Sequence, residues 1–137
     1  MIRTVLRWVL ALFYFAAGVI HLVNPAPFFT IMPEWVPAPE AVVWWTGVAE
    51  ILGAIGLAQP LSVRLRRWAA WGLAAYALCV FPANINHFAI DMARSDGGGL
   101  GLAYHVPRMF AQPAIIWLAL WTGGCLPLRR RRGAMAA

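Results

Sequence analysis

The stretch that decides the fold is residues 41–58, AVVWWTGVAEILGAIGLA, an apolar run with one charged residue, Glu50, near its middle. A helix that crosses a membrane needs about 20 mostly apolar residues, and this run approaches that length. Glu50 lies ~15 Å from the start of the run at about 1.5 Å per residue. An ionisable group at such depth costs at least about 2.5–3.5 kcal/mol, so Glu50 is expected to face other helices and to be paired or protonated.

Three further apolar runs of similar length accompany this one, at residues 5–23, 68–87 and 109–128. The connectors are rich in helix-breaking residues, with a proline-rich segment at 24–40 and a glycine-rich segment at 88–106. Residues 129–137 form a basic tail. The pattern predicts an all-α polytopic membrane protein, a four-helix transmembrane bundle that occupies the whole chain, 1–137, as one domain.

The composition excludes an ordinary soluble domain. Of the 137 residues, 62% are hydrophobic and 12% charged, against roughly 45–50% and about 25% in soluble proteins. The net charge of +6 would by itself suit nucleic acid, but eight tryptophans and a mean hydropathy of +0.69 favour lipid as the partner. The two cysteines form no C-x-x-C motif, so no dithiol redox centre is predicted.

The arginines predict the orientation, because basic residues near the ends of spans stay on the cytoplasmic side. Arg3 and Arg7, the group Arg64, Arg66 and Arg67, and the run 129–132 all fall on one side, which leaves Arg94 and Arg108 on the other. Both termini are therefore expected to be cytoplasmic, in the inner membrane of a bacterium. The arginine groups are explained as topology signals and contacts with anionic lipids, not as a nucleic-acid surface.

Polar residues concentrate in the outer half of the predicted bundle, opposite the arginine groups. Helical spacing places Tyr14, Gly18 and His21 on one face of the first span, and Asn84 with His87 on one face of the third. The predicted ligand-binding residues are His21, Glu50, Asn84, His87, Arg108 and Gln112.

Structural roles are the alternative for several of these residues. Asn84 and Gln112 lie beside Pro82 and Pro113, whose rings each leave a helix carbonyl without its usual donor. The amides could serve the carbonyls of Leu78 and Met109. Close to a connector, His105 is expected to be solvated, and Arg108 could extend its guanidinium outward along the helix.

A metal site is a weaker alternative. His21, Glu50 and His87 offer suitable ligand types, but no short His-x-x-x-His or Glu-x-x-His spacing supports them. No metal is therefore predicted. Glu50 also lacks a chain of acids in the inner half of the bundle, which disfavours a proton or ion pathway through it.

The segment from Pro25 to Glu40 combines prolines with Phe28, Phe29 and Trp35, and it is too apolar for an ordinary outer loop. It is predicted to form an interfacial lid over the polar cluster, with a plain membrane-surface loop as the alternative. The small-residue spacing of Ala49 and Gly53 would let span two approach its neighbours closely, which favours it as the central helix.

Taken together, these motifs resemble the DoxX family of small four-helix bacterial membrane proteins. The residues that carry the resemblance are Phe15-Ala16-Ala17-Gly18-Val19-Ile20-His21, Asn24-Pro25, Pro27-Phe28, Gly47-Val48-Ala49-Glu50-Ile51-Leu52-Gly53, Phe81-Pro82-Ala83-Asn84, Pro107-Arg108 and Gln112-Pro113. The resemblance implies a four-helix fold, a cytoplasmic-membrane location and a redox setting, since the family takes its name from a small subunit of a quinol-linked oxidase or thiosulfate:quinone oxidoreductase. The C-x-x-C of the thiol-active relatives is absent here.

The first hypothesis for function is an accessory component of a membrane redox system with a site for a quinone or another lipophilic ligand. His21, His87, Arg108 and Gln112 would donate hydrogen bonds and Glu50 would exchange protons, while electrons would come from a redox partner. The alternative is a non-catalytic membrane subunit or assembly factor whose polar core only holds the helices together. Catalysis and homo-oligomer formation stay open under both hypotheses.

Overall fold

The computed structural model describes residues 1–95 and 98–126, and 81% of them are helical, with no strand among them. Four long helices account for nearly all of this: α1 (Ile2–Val23), α3 (Pro39–Ala58), α4 (Val63–Ala93) and α5 (Gly101–Gly123). A single helical turn, α2 (Ala26–Phe29), lies between α1 and α3.

The helix ends follow from local sequence. Pro39 occupies the first position of α3, where its missing N–H costs nothing. Ser62 caps α4 by accepting a hydrogen bond from the backbone N–H of Leu65. At the far end of α5, Gly124 has φ +90°, a left-handed conformation that glycine adopts without strain and that stops the helix.

The four long helices form a closed ring in which each packs mainly on two others: α1 on α3 and α5, and α4 on α3 and α5. Backbone contact is closest between α1 and α3, where Gly18 and Gly47 face each other. A Cβ added at Gly47 would lie 2.8 Å from the His21 Cβ and 2.9 Å from the Gly18 carbonyl oxygen. Of the four, α3 makes the most extensive contacts, mainly with α1 and α4, although it occupies one position in the ring and is not surrounded by the others.

The bundle has an apolar exterior and a partly polar interior. Trp35, Trp45, Trp68 and many other large apolar side chains are exposed, while six polar or charged residues of the described part of the chain are buried. The buried polar set is Glu50, Asn84, Asp91, His105, Gln112 and Thr122. This distribution, together with three helices long and apolar enough to cross a membrane (α1, α3 and α4), indicates a membrane protein.

The helix boundaries correct the sequence prediction around the second outer connector. α4 ends at Ala93 instead of residue 87, and α5 begins at Gly101 instead of residue 109. The predicted glycine-rich loop 88–106 is thus mostly helical, because leaving the hydrocarbon region does not by itself end a helix. At its other end α5 stops at Gly123, short of residue 128, and the basic tail 129–137 lies outside the described residues.

Candidate functional site

The predicted polar cluster begins with two facing helices, α1 and α3. His21 Nδ1 lies 2.9 Å from the Oε2 of Glu50 and 2.9 Å from the carbonyl oxygen of Ala17. A carbonyl only accepts, so Nδ1 carries the proton and directs it at Ala17. Glu50 is 3% exposed, and its Oε2 has no aligned donor in the described part of the chain. The histidine therefore lies beside the carboxyl group without fully satisfying it.

Two tyrosines complete this side of the site. Tyr76 on α4 interacts through its side chain with Glu50. Tyr14, about two turns before His21 on α1, packs edge-on against Tyr76 with ring centroids 6.2 Å apart. Its hydroxyl is buried and has no hydrogen-bond partner among the described residues. A buried polar atom without a partner is costly, so the Tyr14 hydroxyl and Glu50 Oε2 are the two groups here that call for a ligand or water.

The opposite side is formed by the amides of α4 and α5. The Asn84 Nδ2 donates to the Gln112 Oε1 at 3.0 Å, and the Gln112 Nε2 donates to the carbonyl oxygen of Ala77. The amides therefore bridge the two helices. Neither amide pairs with the carbonyl in its own helix that the sequence suggested, which was Leu78 for Asn84 and Met109 for Gln112. Each amide donates to a group on the neighbouring helix instead.

A cavity of about 430 Å³ separates these two sides. Five of the six predicted residues line it, all except His87, and its wall is otherwise mostly apolar. The five are His21, Glu50, Asn84, Arg108 and Gln112. A cavity of this size and character falls in the range of small-molecule sites, which are largely apolar with a few convergent polar groups.

The segment that joins α1 to α3 covers this cavity. Phe28, Met32, Trp35 and other residues of the segment line it. The Phe28 ring stacks on the His21 imidazole with centroids 3.7 Å apart and planes 20° from parallel. From α4, Asn86 Nδ2 donates to the carbonyl oxygen of Ile31 at 3.0 Å. The segment therefore has the position predicted for a lid, and two contacts hold it in place, the ring stacking on α1 and the hydrogen bond from α4.

His87 belongs to a second cluster nearer the end of the bundle. Arg108, which lines the cavity, donates from Nη1 to the His87 Nδ1 at 2.7 Å. One turn further along α4, Asp91 accepts from His105 Nε2 and from the Leu100 backbone N–H, both at 2.8 Å. His105 is fully buried, contrary to the expectation that it would be solvated, because α5 starts early enough to place it inside the bundle.

The second cluster offers the donor set of a transition-metal site. Ligand atoms of His87, Asp91 and His105 lie within 4.8 Å of one another. However, Arg108 donates to the His87 Nδ1, so the neutral imidazole keeps its proton on Nε2, the nitrogen that faces Asp91. A metal would have to displace that proton. In the observed arrangement the cluster acts as a hydrogen-bonded clamp between the end of α4 and the start of α5.

The structure thus divides the predicted site. Sequence reasoning missed Tyr76, Asn86, Asp91 and the role of His105. The His87-x-x-x-Asp91 spacing was visible, but it lay in a stretch predicted to be a loop. Arg108 is the one predicted residue that touches both the cavity and the clamp.

The fold and site define a small all-helical membrane protein with a mostly apolar cavity inside its helix bundle, in whose wall a few polar groups stand and which the segment between α1 and α3 covers. Residues 10–123 match a protein family described as "Domain of unknown function (DUF8561)". The match spans most of the chain, and the protein belongs to this family. No curated protein and no solved structure matches the chain.

Proposed function

We propose that this protein is a DoxX-like integral membrane protein that binds a quinone, or a lipophilic ligand of similar chemistry, in the cavity between its helices. In this proposal α5 is the fourth transmembrane span, both termini lie in the cytoplasm, and the cavity is in the outer half of the inner membrane. The protein serves as an accessory component of a membrane redox system, and electrons reach the ligand from a redox partner subunit.

The observation that carries the proposal is a mostly apolar cavity with two unsatisfied polar atoms in its wall, the Tyr14 hydroxyl and Glu50 Oε2. A quinone has an apolar ring and tail and two carbonyl groups at opposite ends of the ring. Donors stand on both sides of the cavity, with the Tyr14 hydroxyl on one side and Arg108 and Gln112 on the other. The residues present fit such a ligand.

The two sides of the cavity have different chemical roles in this proposal. Glu50, next to His21, is the group able to give a proton to a reduced carbonyl oxygen or take one from it. Arg108 and the amide pair bind and orient the other end of the ring. The covering segment excludes water, and this strengthens the hydrogen bonds inside the cavity.

A purely structural polar core is the alternative, in which the protein is a non-catalytic subunit or assembly factor. The amide bridge between α4 and α5 supports that role, since such bonds join helices. The cavity argues against it. Polar side chains that only tied helices together would pack on one another, whereas here they face each other across an open volume.

The test measures binding of a short-tailed ubiquinone to the full chain in mild detergent, through quenching of tryptophan fluorescence, because Trp35 lines the cavity. We expect saturable quenching and an affinity about 2- to 10-fold lower in Glu50→Gln, since the variant lacks the acid O–H that would donate to a quinone carbonyl and such a hydrogen bond contributes about 0.5–1.5 kcal/mol. Glu40→Gln is the matched control, because Glu40 is an exposed acid in the first turn of the same helix.

A second readout does not depend on Glu50. Cys79 lines the cavity, so in a Cys125→Ser background a lipophilic maleimide should modify it more slowly when the ubiquinone is present. Equal affinity in the folded Glu50→Gln variant would refute the role of Glu50. If the ligand also left the alkylation of Cys79 unchanged, the cavity would not be its site.

A further inference from the structure

A second cavity, of about 470 Å³, lies at the opposite end of the bundle from the clamp. It is formed where α1 and α4 begin and α5 ends. Unlike the first cavity it is mostly polar, and four arginines line it: Arg3, Arg7, Arg66 and Arg67. We call it the arginine cavity.

The charges of the arginine cavity are not balanced by the protein. No acidic residue is among its lining residues in the described part of the chain. Arg3 and Arg66 are both near enough to Arg7 to repel it electrostatically. Like charges gathered without a counter-ion destabilise a fold, so a site of this kind is expected to hold an anion from outside the chain.

Unused hydrogen-bond donors point the same way. The Nε atoms of Arg7 and Arg66 are buried and have no acceptor among the described residues. By contrast, Arg67 Nε donates to the carbonyl oxygen of Gly124 at 3.1 Å, and the Arg3 guanidinium lies over the Trp121 ring, 6.0 Å from its centroid. Two arginines are therefore fixed by the protein, and the other two keep free donors in the same cavity.

The backbone adds positive potential at this place. Helices α1 and α4 both begin here, and a helix N-terminus carries a partial positive charge and free N–H groups. A guanidinium fork binds two oxygens of one phosphate group, so the chemistry that matches the site is a phosphate.

We propose that the arginine cavity binds a phosphate-bearing anion, and that in the membrane this anion is the headgroup of an acidic lipid. Its position at the end of three long helices, where exposed Trp8 and Trp68 flank the apolar surface, is the depth of lipid phosphates. The volume exceeds that of one phosphate group and leaves room for a headgroup with two. This inference rests on membrane insertion but not on the ligand proposed for the other cavity.

The experiment compares lipid binding by the full-length wild type, R66Q and R64Q. The control, R64Q, removes the same charge from the same end of the same helix. Arg64 is exposed and is not among the residues that line the cavity. Each protein in detergent receives cardiolipin, phosphatidylcholine or, as soluble phosphates, inorganic phosphate and pyrophosphate. Native mass spectrometry counts the bound lipid, and the thermal midpoint reports stabilisation.

We expect cardiolipin, but not phosphatidylcholine, to stay bound to the wild type and to raise its thermal midpoint. R66Q should bind cardiolipin about tenfold more weakly, and R64Q much less so. Without lipid, R66Q should be as stable as the wild type or more stable, because its repulsion with Arg7 is relieved. A merely structural role for Arg66 predicts lower stability with and without lipid.

Other outcomes decide the remaining points. Stabilisation by pyrophosphate and not by cardiolipin would keep a phosphate site but overturn a lipid as its source. Equal loss of cardiolipin binding in R66Q and R64Q would show general attraction to charge and would overturn the site. The absence of binding by every probe would overturn it as well.

Discussion

At the scale of single residues, the interior polar groups of this protein fall into those that the chain satisfies and those that it leaves open. Asn84 donates to Gln112, which donates to the Ala77 carbonyl, and Asp91 accepts from His105 Nε2, although His105 Nδ1 has no partner among the described residues. Tyr14 and Glu50 face the first cavity with unsatisfied oxygens, and Arg7 and Arg66 face the second with unused Nε donors. Polar groups that are paired within the chain join helices, whereas buried polar groups without a partner mark the places where a ligand or water is expected to bind.

The amide bridge gives a prediction about satisfied pairs. Replacing Gln112 with Leu removes the acceptor of Asn84 while keeping the volume, and leaving a buried amide unpaired should cost about 1–3 kcal/mol. Asn84→Leu should cost less, because Gln112 keeps its bond to the Ala77 carbonyl. The double variant should lose less stability than the two single variants added together. The difference, which is the coupling energy of the two amides, should be roughly 0.6 and at most about 1.7 kcal/mol.

Unfolding in mixed detergent micelles measures the stability of all three variants. Strict additivity of the three free energies would show that the two amides act independently.

At the scale of elements, the close approach of the α1 and α3 backbones depends on the absence of side chains at Gly18 and Gly47. A methyl group at Gly47 would meet the His21 Cβ and the Gly18 carbonyl oxygen, and neither can move without shifting α1. Gly47→Ala should therefore destabilise the protein by about 1–3 kcal/mol. The added methyl group would displace His21, which lines the first cavity. The variant should therefore also weaken ubiquinone binding in that cavity.

Gly72→Ala is the matched control for that change. It makes the same substitution in the middle of a long helix, but a methyl group there meets nothing within 4 Å. Alanine in a helix is more favourable than glycine by about 0.5–1 kcal/mol, so the control should raise stability slightly. Thermal midpoints of the two variants should move in opposite directions. A similar loss in both would mean that glycine is needed for helix flexibility and not for close packing.

Sequence periodicity predicted these faces well because spacing within one helix is set by local geometry. It placed Tyr14, Gly18 and His21 together, and it identified Glu50 as a buried group. Periodicity did not predict the contacts between side chains of different helices, because these depend on which helices lie next to each other. The bond between Arg108 and His87 and the enclosure of His105 require α4 and α5 to extend past the predicted membrane boundaries, and hydropathy does not register such extensions.

At the scale of the whole molecule, the two cavities lie at opposite ends of one bundle and differ in character. The first is mostly apolar and covered by a segment of the chain, while the arginine cavity is polar and cationic. In the proposed orientation, with the arginine end in the cytoplasm, the positive charges would meet acidic lipids of the inner leaflet and the first cavity would lie in the outer half of the membrane. The orientation therefore links both proposals and is itself testable.

The orientation is tested with single cysteines placed at the two ends, in a chain whose native cysteines are replaced by alanine. Leu61→Cys reports the connection between α3 and α4, where Leu61 is 92% exposed, and Ser95→Cys reports the other end. A membrane-impermeant maleimide added to intact spheroplasts should modify Ser95→Cys at once, but Leu61→Cys only after the membrane is opened. The reverse pattern would place the termini outside the cell and remove the lipid argument for the arginine cavity.

Cys125 lies at the same end of the bundle as Leu61, and the rate at which its thiol is alkylated is expected to depend on pH. It lies just past the end of α5, and its thiol donates to the carbonyl oxygen of Arg67 at 3.6 Å. Burial raises the pKa of the Cys125 thiol, although the nearby Arg67 and Arg3 oppose the shift. Because the thiolate is the reactive form, a raised pKa lowers its fraction at neutral pH. In a Cys79→Ala chain in opened membranes, alkylation of Cys125 should be slower than that of Leu61→Cys at neutral pH, and the gap should narrow as the pH rises. A rate at neutral pH equal to that of Leu61→Cys would contradict the buried, hydrogen-bonded thiol.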